Sequence, residues 1–542
     1  MNSILQTAFK YLLILFFAIF TIVSFTAQVD IPDEKKKGRY TFQCIAVFIV
    51  HLAGSACTAL NIADGTVHSF TTAQFGALYA AQLLYLVFMM MILPHIVRLS
   101  RGMNNVMCML IVTGFIIQTR LNFDASGRQF FFLLAASAVF LVFQIIYKLV
   151  RGLYKLTWAY FAAGMILILI VLVFASVDAG AKIAIDLGFI SFQPFEFVKI
   201  LFVLFVAGAF NKANSLKMVI ITAAGAMIQI LLMVMCTELG TALILFVVYI
   251  LMLYASTKKF RYVILGTAAF AAACVAAYFM FAHVRVRVSV WLDPWADIDG
   301  RGYQITQSLF AIGSGGWLGT GLYKGSPLYV PMVANDFVFS AISEELGAVF
   351  SIFLILLCLC FVLMIFRVAV RVYDKFNKLA AFGLGCTYGI QVFLTIGGAI
   401  KMIPSTGINL PFISTGGSSV LASMLIAGIV QGLYAVSEKD AEFEKEIISE
   451  SVILMKDGRE AEAYSLISDA FSDPSDCEDE REEAVSDMIG QEDEEAGPEL
   501  YMAGGRIRSV DPDEDPLSPT VKITAKKSYR QNRVRQVDPD DD

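Results

Sequence analysis

Thirteen stretches of this chain stay apolar over roughly 20 residues, the length an α-helix needs to cross about 30 Å of hydrocarbon. They lie near 11–28, 41–62, 74–95, 103–119, 129–149, 157–177, 196–211, 217–235, 239–256, 260–282, 337–366, 379–400 and 413–436. Lipid cannot satisfy backbone N–H and C=O groups, so such runs must close their hydrogen bonds internally, as helices. The expected fold is an all-α polytopic membrane protein with about 13 transmembrane helices. Composition agrees: 57% of residues are hydrophobic and 16% charged, whereas soluble proteins carry about 25% charged residues. A soluble enzyme of this length is excluded. Only Lys10 precedes the first run as a basic residue, so that run is expected as a retained helix rather than a cleaved signal.

The net charge of −6 conceals two opposed parts. From Ser437 onward there are 31 acidic and 13 basic residues; set against totals of 47 and 41, this leaves 16 acidic and 28 basic in 1–436. A membrane body of +12 therefore carries a tail of −18. The basic residues gather in loops 34–39, 98–101, 148–155, 211–217, 257–261 and 367–378, on alternate sides of the helices, whereas 63–73 and 236–238 have none. By the positive-inside rule the basic loops are cytoplasmic. The N-terminus, the long 283–336 loop and the 401–412 loop then face outside, and the tail faces the cytoplasm. The tail's composition predicts disorder over most of its length, with room for amphipathic helix in 440–472. Nothing suggests nucleic-acid binding.

Eight of the nine cysteines sit in apolar runs, no CxxC pair exists, and the four histidines are scattered. These cysteines read as small buried hydrophobes, and no metal or redox centre is expected from them.

Ionisable residues near membrane-helix ends are the candidates for chemistry. Glu196 and Lys199 stand three apart and share a helix face, suited to an ion pair. Glu238 immediately precedes a helix. Asp336, Glu344 and Glu345 open the helix after the outer loop, and Lys401 follows the Gly397–Gly398 pair. Asp336 has no basic residue within ten positions. The outer loop holds three of the four tryptophans, with Arg285 and Arg287 as cations suited to phosphate. Its GSGGWLGTG stretch and the later STGGSS permit tight turns, but neither is followed by the GK[ST] of a nucleotide loop.

Five blocks give the chain a recognisable look: FQPFEFVKI (192–200), TELGTAL (237–243), WLDPWADIDGRGYQITQSLFAIGSGGWLGTGL (291–322), NDFVFSAISEELG (335–347) and LPFISTGGSS (410–419). In order and spacing it resembles the SEDS family (shape, elongation, division and sporulation), the RodA/FtsW/SpoVE group of bacterial cell-wall membrane proteins. The resemblance covers about 98–436, a ten-helix core, with three further helices in 1–97 and the acidic tail in 437–542 as additions. Phe195, Glu238 and Thr415 depart from the family's Ser, Asp and Tyr, and GAKIAIDLG (180–188) lacks its usual Arg-Trp pair.

The resemblance implies a peptidoglycan glycosyltransferase of the bacterial cytoplasmic membrane. Such an enzyme polymerises lipid II on the outer face, in elongation or division, together with a class B penicillin-binding protein. It implies Asp336 as the catalytic carboxylate, with Arg285, Arg287, Lys401, Glu344, Gln304 and Ser418 as candidates for pyrophosphate and sugar contact. Glu196, Lys199 and Glu238 form a structural or functional ion-pair group. No cofactor is evident from the residues, and the resemblance allows a divalent cation, Mg or Mn. The acidic tail is a candidate site for cytoplasmic regulators. Two alternatives are a transporter of lipid-linked precursor, which needs ionisable residues at mid-membrane depth, and a non-catalytic scaffold for the transpeptidase. The charges cluster toward helix ends, which favours the enzyme. Asp336 as a mere helix cap is the competing structural reading.

Overall fold

The computed structural model describes residues 2–28, 33–65, 70–149, 152–175, 191–211 and 216–456, short segments between 177 and 186, residue 459, and segments 500–503, 506–509 and 521–523. The helices in chain order are α1 (Asn2–Thr26), α2 (Asp33–Ala63), α3 (Thr72–Val87), α4 (Leu93–Ile96), α5 (Arg101–Leu121), α6 (Phe123–Leu149), α7 (Thr157–Phe174) and α8 (Phe195–Ala209). There follow α9 (Leu216–Met235), α10 (Leu239–Thr257), α11 (Phe260–Met280), α12 (Ala282–Leu292), α13 (Tyr303–Gly315), α14 (Val338–Arg371), α15 (Lys375–Ala399) and α16 (Gly417–Lys456). Every expected apolar run is helical. Among the described residues, twelve helical segments are long and apolar enough to cross a membrane; the thirteenth run is α8, with 15 residues. The chain is a multi-pass membrane protein.

Local chemistry explains several boundaries. Thr71 and Gln74 form a reciprocal capping box at the start of α3. A π-helical stretch, Phe88–Ile92, links α3 to α4 just before Pro94, where the missing proline N–H forces the ladder to adjust. Asp374 caps α15 by accepting from Asn377 N at 2.9 Å. Two short antiparallel pairs, Val177–Asp178 with Ala181–Lys182 and Ile185–Asp186 with Ser191–Phe192, lead into α8.

Helix α5 is buried along its whole apolar window, whereas α11 buries only Gly266. The first therefore forms the centre of the bundle and the second a lipid-facing edge. The three N-terminal helices are integral to this packing. Helix α1 lies against α2 and α14, with Phe17 stacked on Phe350 at 4.1 Å between ring centroids. Helix α1 starts earlier than its apolar run because Gln6 and Lys10 are buried by partners: Gln6 donates to Asp64, and Lys10 Nζ donates to the Gly319 carbonyl at 3.1 Å. The start of α1, the end of α2 and the 315–325 stretch thus share one end of the bundle. At the opposite end of α5, Ser100 N donates to Gln431 Oε1 of α16 at 2.8 Å.

The 283–336 segment is more ordered than a loop: α12 and α13 occupy much of it. The 337–366 run, expected as one continuous helix, is broken inside α14 at Gly347, where φ is 86°. The carbonyls of Glu344 and Glu345 accept from Thr320 N and Gly321 N, each at 2.9 Å, while Ala348 N and Val349 N donate to Gly316 O and Trp317 O. The glycine-rich stretch therefore satisfies four of the backbone groups that the break exposes. A Cβ on Gly347 would lie 2.3 Å from Gly319 N, and one on Gly319 would lie 2.2 Å from Glu345 O. Only glycine fits this crossing.

The chain divides into two units, 1–437 and 438–542. In the second, Leu500–Ala503 pairs antiparallel with Arg506–Ser509 and with Val521–Ile523. Most of the segment expected to be disordered lies outside the described residues, as do most of 180–188.

Candidate active site

Asp336 stands two residues before α14. Helix α14 is capped at Phe337 without any side-chain cap bond, so Asp336 does not serve as the helix cap. Its Oδ1 is buried and has no hydrogen-bond partner among the described residues. Burial pushes its pKa up to about 6, opposed by its own backbone N–H and by the Arg287 guanidinium.

The carboxyl borders a cavity of about 130 Å³ lined also by Val286, Arg287, Val290, Trp291, Arg301, Gln304, Ile305, Lys401, Ile403, Ser405 and Gly407. Residues from α12, α13, the turn before α14 and the 401–407 turn meet here. Of the residues singled out from sequence, Asp336, Arg287, Lys401 and Gln304 come together. Arg287 donates to Ser405 O at 3.2 Å and Gln304 Nε2 to Pro331 O at 3.2 Å. Lys401 sits in left-handed backbone with φ 60°. Its carbonyl accepts from Trp291 Nε1 at 3.2 Å, and its Nζ reaches Leu292 O at 3.5 Å.

Three candidates do not line the cavity. Arg285 donates to Phe279 O at 3.4 Å; two residues apart on a helix, Arg285 and Arg287 point to different faces. Glu344 Oε1 accepts from Ser326 N at 2.7 Å, and its Oε2 is buried without a partner among the described residues. Ser418 accepts from Gln193 N at 3.0 Å at the start of α16. Arg301, by contrast, lines the cavity and was overlooked by sequence reasoning, although it stands in the DGRGYQ motif. The signal was available: it is the only cation in that block.

Lys199 Nζ lies 2.9 Å from Glu196 Oε2 and donates to Gln391 Oε1 at 2.7 Å. Gln391 in turn donates to Asn409 O at 2.9 Å, linking this ion pair to the 401–412 turn. Glu238 accepts from Thr241 Oγ1 at 2.9 Å. Burial raises its pKa, while Thr241 and then Arg287 oppose the rise. Arg287 thus acts electrostatically on both Glu238 and Asp336.

Chemically the cavity offers one carboxyl poised near neutrality beside three cationic side chains. That set suits acceptance of a proton next to an anion. A divalent cation seeks several oxygen ligands, and a lining with one carboxylate among three cations does not fit one. Among the described residues, no three His, Cys, Asp or Glu side chains gather as a metal site.

Residues 103–439 match the family model described as cell cycle protein, FtsW/RodA/SpoVE. The peptidoglycan glycosyltransferase RodA of Mycobacterium bovis is 40% identical over 271 residues, which is 46% of this chain and 57% of that protein. The chain thus spans little more than half the length of that relative. The probable peptidoglycan glycosyltransferase FtsW of Hydrogenovibrio crunogenus is 32% identical over 302 residues, 54% of this chain and 76% of that protein. A solved structure described as structural coordination of polymerization and crosslinking by a peptidoglycan synthase complex aligns with a TM-score of 0.55 at 23% identity. It covers 63% of this chain and 99% of the other, a likeness of fold.

Proposed function

The chain belongs to the FtsW/RodA/SpoVE family of cell cycle proteins, and on that premise we propose that it is a peptidoglycan glycosyltransferase that polymerises lipid II. The observation that carries this reading is the Asp336 carboxyl, its Oδ1 without a partner among the described residues, in a cavity shared with Arg287, Arg301 and Lys401. In the reaction, Asp336 accepts the proton of the acceptor sugar hydroxyl as that oxygen attacks the anomeric carbon. The bond to the departing lipid pyrophosphate breaks, and the three cations stabilise the charge that develops on it. Gln304 contacts sugar. Two relatives carry the name peptidoglycan glycosyltransferase, which supports the same activity.

The domains in this proposal are the additional helices of 1–97, the catalytic core of 98–436 with its outer 283–336 segment, and the tail of 437–542. The cavity faces outside and the tail the cytoplasm. This orientation is supported by the contact of Lys10 with Gly319, which groups the N-terminus with the outer segment, and by the basic 98–101 loop at the other end. The proposed partner is a class B penicillin-binding protein, and the acidic tail is a docking segment for cytoplasmic regulators. Glu196 and Lys199 support the 401–412 turn.

The decisive experiment is polymerisation of labelled lipid II by the purified full chain, with and without a co-expressed penicillin-binding protein. Glycan strands that vanish in Asp336→Asn support the enzyme. Translocation of lipid II without polymer would replace it with the transporter, and neither activity, with the partner's crosslinking still enhanced, with the scaffold.

A further inference from the structure

Gln118 is a polar residue in the central helix α5, 1% exposed. Burying an amide without hydrogen-bond partners is costly, so its position calls for partners. Both hydrogens of its Nε2 are used: one goes to Ala334 O at 3.1 Å and the other to Ile413 O at 2.9 Å. These carbonyls belong to two turns far apart in sequence, the one before α14 and the one before α16.

The two turns also bind each other. Thr415 N and Thr415 Oγ1 donate to the same Ala334 carbonyl at 2.8 and 3.0 Å. Ser414 Oγ donates to Asn335 O, and Thr415 Oγ1 reaches Asn335 Oδ1. The two lone pairs of Ala334 O are therefore taken by Gln118 Nε2 and Thr415 N, and the single Thr415 hydroxyl hydrogen is shared between this carbonyl and Asn335 Oδ1. Such concentration pins one point of the chain two residues before Asp336. Helix α5 approaches closely enough to do this because Gly114 faces the turn; a Cβ there would lie 2.8 Å from Phe412 O.

The amide cannot turn over, since its oxygen would then face two carbonyl oxygens. Gln129 repeats the pattern, donating to Ser414 O at 2.9 Å. The Oε1 atoms of both glutamines have no partner among the described residues, and both residues line a cavity of about 10 Å³, a volume that admits one water.

We propose that Gln118 is a positioning residue for Asp336: by clamping Ala334 to the LPFISTGG turn, it fixes where the carboxyl meets the cavity. This rests on the reading of Asp336 as the base, so the test carries a second readout that does not. Gln118→Met keeps length and volume but removes both donors. In the full-length protein it is expected to lower kcat by ~10-fold or more at nearly constant KM, as a misplaced reacting group does. The independent readout is modification of Asp336 by a hydrophobic carbodiimide, followed by mass spectrometry across pH, because the reagent attacks the protonated carboxyl. Loosening the turn admits water to Asp336, so the modification midpoint should fall from wild type toward the ordinary carboxylate range.

Thr415→Val loosens the same point from the other side and should shift both quantities in the same direction, more weakly. It decides the matter if Gln118→Met does not fold. Wild-type kcat together with a wild-type modification midpoint in the folded variant would overturn the proposal. If the wild type makes no polymer, the function reading fails on its own, and the modification midpoint alone judges the clamp.

Discussion

Arg120 Nε lies 2.8 Å from Glu345 Oε1, joining the end of α5 to the broken segment of α14 across 225 positions of sequence. The guanidinium also donates to Gly325 O at 3.2 Å and lies 4.7 Å from the Tyr323 ring centroid. Tyr323 N donates to the same Glu345 oxygen at 3.2 Å. Arg120 is thus occupied by Glu345 and the 323–325 stretch rather than facing anionic lipid.

Arg120→Met leaves the Glu345 carboxylate, 1% exposed, without its counter-ion. Breaking one partner of a buried pair costs about 3–5 kcal/mol. Unfolding in detergent should show a loss of that order, and the double variant Arg120→Met/Glu345→Gln should recover much of it. Equal stability of single variant and wild type would show that solvent already screens the pair.

Asp336→Asn should abolish polymerisation while leaving a folded protein, because no cap is lost. The wild-type rate should rise with pH through about 6 as the base deprotonates. The stability effect has the opposite sign. A carboxyl whose folded pKa is raised binds more protons folded than unfolded, so stability falls as pH climbs from the ordinary carboxylate range through about 6. Asp336→Asn should therefore gain stability relative to wild type at pH 8 and lose that gain near pH 4. Thermal unfolding at both pH values, alongside the rate profile, measures this.

Gly319→Ala should destabilise by more than about 2 kcal/mol, since left-handed backbone alone costs a side chain roughly 1–2 kcal/mol and the added Cβ meets the Glu345 carbonyl at 2.2 Å. Gly313→Ala, in α13 with nothing within 4 Å of its Cβ, should be neutral or gain about 0.5–1 kcal/mol. Comparable unfolding of the two variants would remove the crossing of the glycine-rich stretch with α14.

In a cysteine-free background, an impermeant maleimide applied to intact cells should label Ala63→Cys and Lys324→Cys but not Arg98→Cys or Lys378→Cys. The reverse pattern would invert the proposed orientation.

The sequence by itself determined the membrane class, the places of the helices and the family, because each rests on local quantities: the length of apolar runs, loop charge and contiguous motifs. Helix α8 was legible by its run yet shorter than a full span, and Asp336 was legible by its motif. What the tertiary structure decided depends on chain segments meeting. The fracture of α14 at Gly347 follows from backbone groups 28 positions earlier replacing its own ladder at Gly347 and Gly319. The selection of Arg287 over Arg285 follows from the rotation of α12, and Arg301 joins Arg287 at the cavity only because the 283–336 segment folds back on itself. Asp336 has no basic neighbour in sequence but shares its cavity with three cations, and Gln118, an unremarked polar residue in an apolar run, acquires its place from two carbonyls more than 200 positions away. Apolar length is a property of each helix alone; the poise of a buried carboxyl belongs to the groups that packing brings around it.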